Sequence, residues 1–190
     1  VVPFAAGGGT DAFARPLAAQ LDTQLGQRIV IENKAGAGGT AGASAAAKAK
    51  PDGYTFFVGA AHHAIAPAIY PKLDYDIQTD FIPIGVIAEP PHVVVVHPTK
   101  ITAKTLKELI DQARANPDKL NYASAGNGTT HHLAGELFKL LSKTNIQHVP
   151  YRGAGPLMPD LIAGHVDMAF DGMGSSAAQI SGGKLRALAV

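Results

Sequence analysis

The sequence predicts an α/β protein with mainly parallel sheets, because strand-like runs alternate with loops and helix-like runs along the whole chain. In the first unit, an apolar stretch at residues 1–4 leads into the glycines at 7–9. Apolar residues then recur every four positions, as on one face of a helix: Phe13, Leu17, Leu21 and Leu25. A second unit has the same plan, with a strand-like run, a glycine loop and a helix over residues 121–141. Two such units facing each other predict two lobes with a cleft between them.

The remaining elements follow in chain order. An alanine-rich helix is predicted to end near Lys50, where Pro51-Asp52-Gly53 is a turn signal. Thr105 followed by Glu108 is a capping box, which predicts the start of another helix. Besides the opening residues, strands are predicted at 28–32, 54–59, 81–88, 92–97, 121–124, 147–150, 166–170 and 185–190.

The boundary between the lobes is predicted near Pro98, after an apolar valine run. This division gives a first lobe at residues 1–97 and a second lobe at 98–190. Residues 185–190 are a candidate hinge strand that returns to the first lobe. The chain begins and ends inside apparent strands and contains no signal-type segment, so we expect a mature or partial chain.

The composition excludes several classes of protein. Hydrophobic residues make up 46% and charged residues 16%, which is typical of a compact globule and not of a disordered chain. The formal net charge of +1 gives no electrostatic footprint for nucleic acid. The absence of cysteine excludes disulfides, thiol catalysis and cysteine-ligated metals.

The opening glycine loop predicts an anion site. Glycines let a ligand approach the backbone closely, and the first N–H groups of a helix have no partner within it. Gly7, Gly8, Thr10 and Asp11 are the candidate residues, although Asp11 is expected first of all to cap the helix. The loop has no lysine, so it lacks the pattern of a phosphate-binding P-loop.

Three other motifs point to other chemistries, and each has a simpler structural explanation. Residues 36–41 match the dinucleotide fingerprint G-x-G-x-x-G/A, but no acidic residue follows about 20 positions later, which favours a tightly packed helix start. Residues 122–126 resemble a nucleophile elbow around Ser124, but Tyr122 replaces its first glycine. The pairs His62-His63 and His131-His132 lack the spacing of a metal site, so one imidazole of each pair is expected to be structural and the other to contact ligand.

Two strand ends add further candidates. Arg152, after Tyr151, has the geometry to pair with a ligand carboxylate, although an exposed arginine is the commoner outcome. Asp171 either caps the helix near Ser175 or faces the cleft. Nothing in the sequence assembles a nucleophile, a base and an oxyanion hole together, so the residues favour binding an anion over transforming one.

The chain resembles the solute-binding receptors of tripartite tricarboxylate transporters, the Bug or TctC type. The blocks that carry the resemblance are PFAAGGGTD at residues 3–11, ENKAGAGG at 32–39, PDGYT at 51–55, SAGNGT at 124–129, HLAGELF at 132–138, HVPYRG at 148–153 and DLIAG at 160–164. Members of this family usually continue well past the strand at residues 185–190, with a C-terminal segment that returns to the first lobe, so the first lobe is expected to be incomplete here.

The resemblance implies a monomeric periplasmic receptor with a two-lobed, type II periplasmic-binding fold. It would hold a small organic carboxylate between the lobes and deliver it to membrane transporter subunits, without cofactor, metal or nucleic acid. The alternative is a small-molecule hydrolase or transferase that uses Ser124 and a nearby histidine, His131 or His132. The expected ligand contacts are Phe4, Ala5, Gly7, Gly8, Thr10, Asp11, His62, His63, Ser124, Asn127, Gly128, Thr129, Thr130, His131, Tyr151, Arg152 and Asp171.

Overall fold

The computed structural model describes residues 1–190. The helices are α1 (Gly9–Leu25), α2 (Thr40–Ala47), α3 (His62–Ile69), α4 (Leu106–Ala115), α5 (Thr130–Ser142), α6 (Ala154–Ala163) and α7 (Met173–Ser181). The strands are β1 (His92–Val96), β2 (Asn121–Ser124), β3 (Gln147–Pro150), β4 (Met168–Gly172) and β5 (Arg186–Ala189). None of the helices combines the length and the apolar character that crossing a membrane requires.

The five strands form one mixed sheet in the order β3-β2-β4-β1-β5. β2 runs parallel to β3 and β4, as the alternating pattern predicts. β1 runs antiparallel to both of its neighbours, β4 and β5. Four of the five strands therefore run in the same direction, as the expectation of a mainly parallel sheet requires, and β1 alone runs against them. The direction of β1 depends on how the chain enters the sheet and not on its residue pattern.

Both faces of the sheet are covered, and side chains alternate between them. Val93 and Val95 pack with α6 residues on one face, whereas Val96 packs with Tyr122 and Leu109 on the other. Helix α5 lies so close to the sheet that a Cβ on Gly135 would overlap the ring of Tyr122. The sheet and its helices are thus a close-packed core.

The first 91 residues contain helices but no regular strands. The strand predicted at residues 28–32 does not form. Next to it, Asn33 makes a single parallel bridge with Val2. The strands predicted at 54–59 and 81–88 do not form either, and Ile82 and Ile84 in the latter are 92% and 82% exposed. Residues 54–59 make two hydrogen bonds with Val1, from the Val58 N–H at 3.0 Å and to the Phe56 carbonyl at 2.6 Å, but these do not extend into a ladder. A strand needs a continuous row of such bonds with a neighbouring backbone, and this is the physical reason for the difference.

The position of β1 bears on the predicted division of the chain. Residues 92–96 were assigned by sequence to the first lobe, yet they hydrogen-bond with β4 and β5. β5, the candidate hinge strand, lies at the edge of the same sheet beside β1. The sheet therefore extends over residues 92–189, and the chain enters it directly after Pro90 and Pro91.

The N-cap predicted for α4 forms at Thr105, while the reciprocal bond of the capping box comes from Lys104, the residue before the cap. The Thr105 side chain accepts a hydrogen bond from the Glu108 N–H at 3.2 Å, and the Glu108 carboxylate accepts one from the Lys104 N–H at 2.7 Å. Thr105→Ala is expected to lower the free energy of unfolding by about 1 kcal/mol, because it leaves a first-turn donor without its cap. Urea unfolding measures the difference. Thr102→Ala, at an exposed position without such a bond, is the control; equal effects of the two substitutions would contradict the capping role.

Candidate functional site

Three helix N-termini converge where the first residues of the chain meet the sheet. Helices α1, α6 and α7 each have a glycine as N-cap residue, Gly8, Gly153 and Gly172, and none has a side-chain cap. A Cβ on Gly8 would lie 3.3 Å from the Gly155 nitrogen, and one on Gly9 would lie 3.8 Å from Ser175 Oγ. The positive ends of three helix dipoles therefore lie close together, which favours an anion in this region, although the first N–H of α7, that of Met173, already donates to the Pro91 carbonyl at 3.1 Å.

Asp11 holds the opening loop in shape. Its carboxylate accepts hydrogen bonds from the Gly7 N–H at 2.9 Å and from Asn33 Nδ2 at 3.0 Å, and it pairs with Arg15 at 2.7 Å. Burial opposes ionisation, but the hydrogen bonds from Arg15, Gly7 and Asn33 outweigh it and lower the pKa of Asp11. The ionised Asp11 side chain thus holds the loop in place, as a clasp does, and the Gly7 N–H is occupied by this hydrogen bond.

The other predicted residues of the opening loop differ in exposure. Phe4 is buried, and its ring meets that of His62 edge-on at 4.9 Å. The Ala5 N–H donates to the Arg152 carbonyl at 3.3 Å, which ties the loop to the segment before α6. Gly8 is buried, and Thr10 is half-buried in the first turn of α1. The backbone of the opening loop therefore packs against the segment between β3 and α6.

The second loop, before α5, is organised by its own hydroxyl groups. Ser124 Oγ lies 2.7 Å from His148 Nε2 and accepts from the Gly126 N–H at 3.1 Å. Thr129 caps α5 through the His132 N–H, and its hydroxyl donates to the Gly126 carbonyl at 2.7 Å. The Gly128 N–H donates to His132 Nδ1 at 3.2 Å. Of the predicted contacts, Ser124, Gly128 and Thr129 are thus engaged within the loop itself.

The same loop touches the first part of the chain. The Tyr70 hydroxyl donates to the Asn127 carbonyl at 2.8 Å, and a Cβ on Gly126 would lie 3.4 Å from the Gly38 Cα. A Cβ on Gly38 would overlap the Asn127 carbonyl. The glycines at 36–39 therefore serve close backbone packing before α2, which is the simpler explanation of the fingerprint-like motif.

Buried imidazoles lie between these loops. His62 and His63 open α3 and are 4% and 2% exposed, and their ring centroids are 4.0 Å apart. Burial, together with the imidazoles of His63 and His131, lowers the pKa of His62 to about 2. Burial also lowers the pKa of His131, despite the Asp171 carboxylate 3.5 Å from its Nδ1. These rings are therefore neutral at physiological pH.

The two residues of the His62-His63 pair have different surroundings, as the sequence predicts. Both His63 nitrogens have partners, Nδ1 at Ala60 and Nε2 at the Gly39 carbonyl, 3.3 Å away. His62 Nε2 is buried and has no partner. His63 is thus structural, and His62 is the imidazole with a free nitrogen.

Asp171 is fully buried at the end of β4. One carboxylate oxygen accepts from the hydroxyls of Ser175 and Ser176 at 2.6 and 2.5 Å, and the other has no hydrogen-bond partner. Nearby, Thr130 Oγ1 lies 3.2 Å from His92 Nε2, and the His92 ring meets that of His131 edge-on at 5.2 Å. Asp171 thus contacts two hydroxyl groups of α7 and lies beside His131, but it does not cap the helix backbone, so the capping alternative is wrong. That Asp171 faces a ligand stays a prediction.

Two predicted contacts lie elsewhere. The Tyr151 hydroxyl donates to Asp160 at 2.7 Å; burial, this hydrogen bond and the carboxylate charge raise the pKa of Tyr151 to about 12. The Arg152 side chain is exposed, and only its backbone carbonyl reaches the opening loop. Their side chains do not join the buried imidazoles described above.

The hydrolase alternative named Ser124 with His131 or His132, but the structure pairs Ser124 with His148. Ser124 is completely buried, and the His148 ring is stacked on His132 at 4.2 Å. Burial and the nearby His132 lower the pKa of His148 to about 4. The Ser124 hydroxyl is thus a link inside the loop and is not exposed to a substrate. No group of three or more metal-ligating side chains is placed to hold a metal ion.

Sequence reasoning missed several residues of this region: His92, Ser176, Tyr70, Gly153 and Gly155. His92 reaches the imidazoles through the antiparallel register that places it opposite Gly172. Tyr70 reaches Asn127 across 57 positions of sequence. No local signal in the sequence reports such contacts. The glycines that begin α6 were visible as a loop, but not as the surface against which Ala5 and Ala6 pack.

Comparison with known proteins identifies the family. Residues 13–190 match the family model described as the tripartite tricarboxylate transporter family receptor. The chain belongs to this family.

Relatives and solved structures agree with this assignment. The chain is 40% identical to a protein encoded in the tcbD-tcbE intergenic region of Pseudomonas sp. strain P51, and 38% identical to BugT of Bordetella pertussis. Both alignments cover 100% of this chain, but only 56% and 59% of the relatives. The chain thus spans little more than half the length of these family members.

Three solved structures have the same fold. A periplasmic transporter has a TM-score of 0.95 at 44% identity, an R. palustris protein with adipate has 0.94 at 39%, and MatC from Rhodopseudomonas palustris with bound malate has 0.89 at 38%. Each comparison covers 98% of this chain and 63% or 64% of the other. The fold of this chain is therefore that of periplasmic binding proteins of its family.

Proposed function

We propose that this chain is the ligand-binding part of an extracytoplasmic receptor that captures a small organic carboxylate and delivers it to a tripartite membrane transporter. The receptor acts as a monomer in the periplasm and performs no catalytic step. The observation that carries the proposal is the convergence of three helix N-termini without side-chain caps at Gly8, Gly153 and Gly172. Two relatives of the same fold were solved with adipate and malate, which supports a dicarboxylate as the ligand.

The proposed site lies between the part of the chain before residue 92 and the sheet that follows. The opening loop and α3 form one wall, and the starts of α5, α6 and α7 form the other. Backbone N–H groups of these helices hold the carboxylate, and closure of the two walls removes it from water. Binding favours the closed arrangement because the ligand contacts both walls only there.

The proposal predicts stabilisation by dicarboxylates without turnover. Adipate or malate at 100 times its Kd is expected to raise the free energy of unfolding by about 2.7 kcal/mol, because the ligand binds only the folded protein. Thermal unfolding followed by circular dichroism measures the shift in Tm. Adipamide, the uncharged diamide of adipate, is the matched control and is expected to leave Tm unchanged.

Two results would contradict this function. One is a Tm that no small carboxylate raises. The other is hydrolysis of an ester substrate that Ser124→Ala abolishes, which would favour the enzyme alternative on account of the Ser124–His148 contact.

A further inference from the structure

The interior between the two walls contains imidazoles but no permanent positive charge. All 16 lysine and arginine residues are at least partly exposed, whereas His62 and His63 are buried. Asp171 contributes a buried carboxylate to the same region. An anion that enters therefore meets positive charge only from helix N-termini and from any imidazole that takes up a proton.

Two imidazoles have nitrogens available for such a proton. His62 Nε2 is buried without a hydrogen-bond partner, and His131 Nδ1 has only a long contact of 3.5 Å with Asp171 Oδ1. The two residues belong to opposite walls, α3 and α5. Buried polar atoms in folded proteins nearly always have partners, so the unpartnered nitrogen of His62 and the long His131–Asp171 contact require an explanation. A ligand carboxylate, which accepts hydrogen bonds from protonated imidazoles, supplies those partners.

The groups around the two rings explain why they are neutral in the empty site. His62 is packed against the Phe4 ring and His63. His131 faces Asp171 and the ring of His92. Burial lowers the pKa of each ring, and the neighbouring imidazoles add to this effect, while Asp171 opposes it for His131. A bound anion reverses the balance, since a negative charge within a few ångströms favours the protonated ring.

We propose that His62 and His131 contact the ligand carboxylate from opposite walls and that ligand binding takes up a proton onto this pair. The inference rests on the proposed function and extends it. His63 and Asp171 are positioning residues: the first holds the start of α3, and the second faces His131. The uptake of one proton offsets the Asp171 charge, which otherwise repels the ligand.

The sign of the pH dependence follows from this scheme. The pKa of the pair is low in the empty protein and higher in the complex, so the complex binds more protons. Affinity for a fully ionised ligand therefore rises as pH falls, by up to about tenfold per pH unit for one proton. Carboxylic acids such as adipate are ionised above about pH 6.5, so the ligand's own titration does not contribute in that range.

Isothermal titration calorimetry with adipate and malate in phosphate and in Tris buffer tests the proposal. The difference in heat between buffers counts the protons taken up, and we expect about one per ligand at neutral pH. His62→Gln and His131→Gln should each weaken binding and reduce the uptake. His165→Gln is the matched control, because the His165 side chain is 71% exposed on the surface and pairs only with Asp160.

Each outcome decides a different statement. Binding with no difference in heat between the buffers overturns the proton uptake but leaves the carboxylate receptor intact. Uptake that persists unchanged in both glutamine variants assigns the proton to another group and also overturns the proposal. If neither ligand binds to the wild-type protein, both this inference and the proposed function fail. Proton uptake in the wild-type protein is measured independently of the variants, so a misfolded variant does not remove the test.

Discussion

Gly155→Ala is expected to weaken the binding of adipate and malate by about 10- to 100-fold. A Cβ at this position would overlap the carbonyl oxygen of Ala6, and the Ala5 carbonyl lies close as well. Both neighbours are backbone atoms, so they cannot move aside as a flexible side chain does. Overpacking of this kind costs about 1–3 kcal/mol, and each 1.4 kcal/mol is about tenfold in affinity.

The substitution distinguishes an effect on closure around the ligand from an effect on folding. Gly155 lies in the first turn of α6, where alanine is a better helix former than glycine by up to about 1 kcal/mol. We therefore expect the circular dichroism spectrum to be unchanged while titration calorimetry shows the loss of affinity. Gly85→Ala is the control, because a Cβ there meets nothing within 4 Å. Equal affinities of wild type and Gly155→Ala would show that this contact does not govern closure.

Asp11→Ala is expected to lower the free energy of unfolding by about 3 kcal/mol. The substitution removes an ionised acceptor that is 2% exposed and leaves the Gly7 N–H and Asn33 Nδ2 without it. Hydrogen bonds to a charged group contribute about 1.5–3 kcal/mol each to stability. Water that enters the loop of the variant replaces part of these bonds, so the expected loss is smaller than their sum. Arg15 is half exposed, so losing its ion pair with Asp11 changes the free energy of unfolding only slightly. Urea unfolding at neutral pH measures the difference.

The same variant has a defined pH signature. The pKa of Asp11 is lower in the folded protein than its ordinary value of 3.8, so its contribution is fully present above that value. The difference between wild type and variant should therefore shrink as pH falls through the folded pKa. Asp52→Ala, at an exposed turn, is the control. A difference below about 1 kcal/mol, or one that grows in acid, would show that Asp11 does not clasp the loop.

Much of the second half of the fold was predictable because its signals are local. The N-cap at Thr105, the strand at Asn121–Ser124 and the helix behind it form where the sequence places them. The first half was less predictable. Residues 81–88 have the composition of a strand, but a strand exists only when another backbone pairs with it, and none does here.

The candidate site divides in the same way. The glycine loops and the helices behind them follow from short-range patterns, so the helix N-termini of the proposed site could be placed from the sequence. The sequence could not show which side chains face the interior. Tyr151 and Arg152 follow a strand end as promising ligand contacts do, yet Tyr151 bonds to Asp160 and Arg152 is exposed.

The sequence by itself determined the alternation of strands and helices, the two glycine loops and the family, because periodicity, capping and turn residues act over a few positions. Only the tertiary structure decided that β1 enters the sheet antiparallel and brings His92 to His131. It also decided that the Asp11 carboxylate holds the opening loop, that Ser124 pairs with His148, and that His62 Nε2 is buried without a partner while His131 faces Asp171. These contacts join residues that are distant in sequence, and their burial and pairing depend on how the whole chain packs.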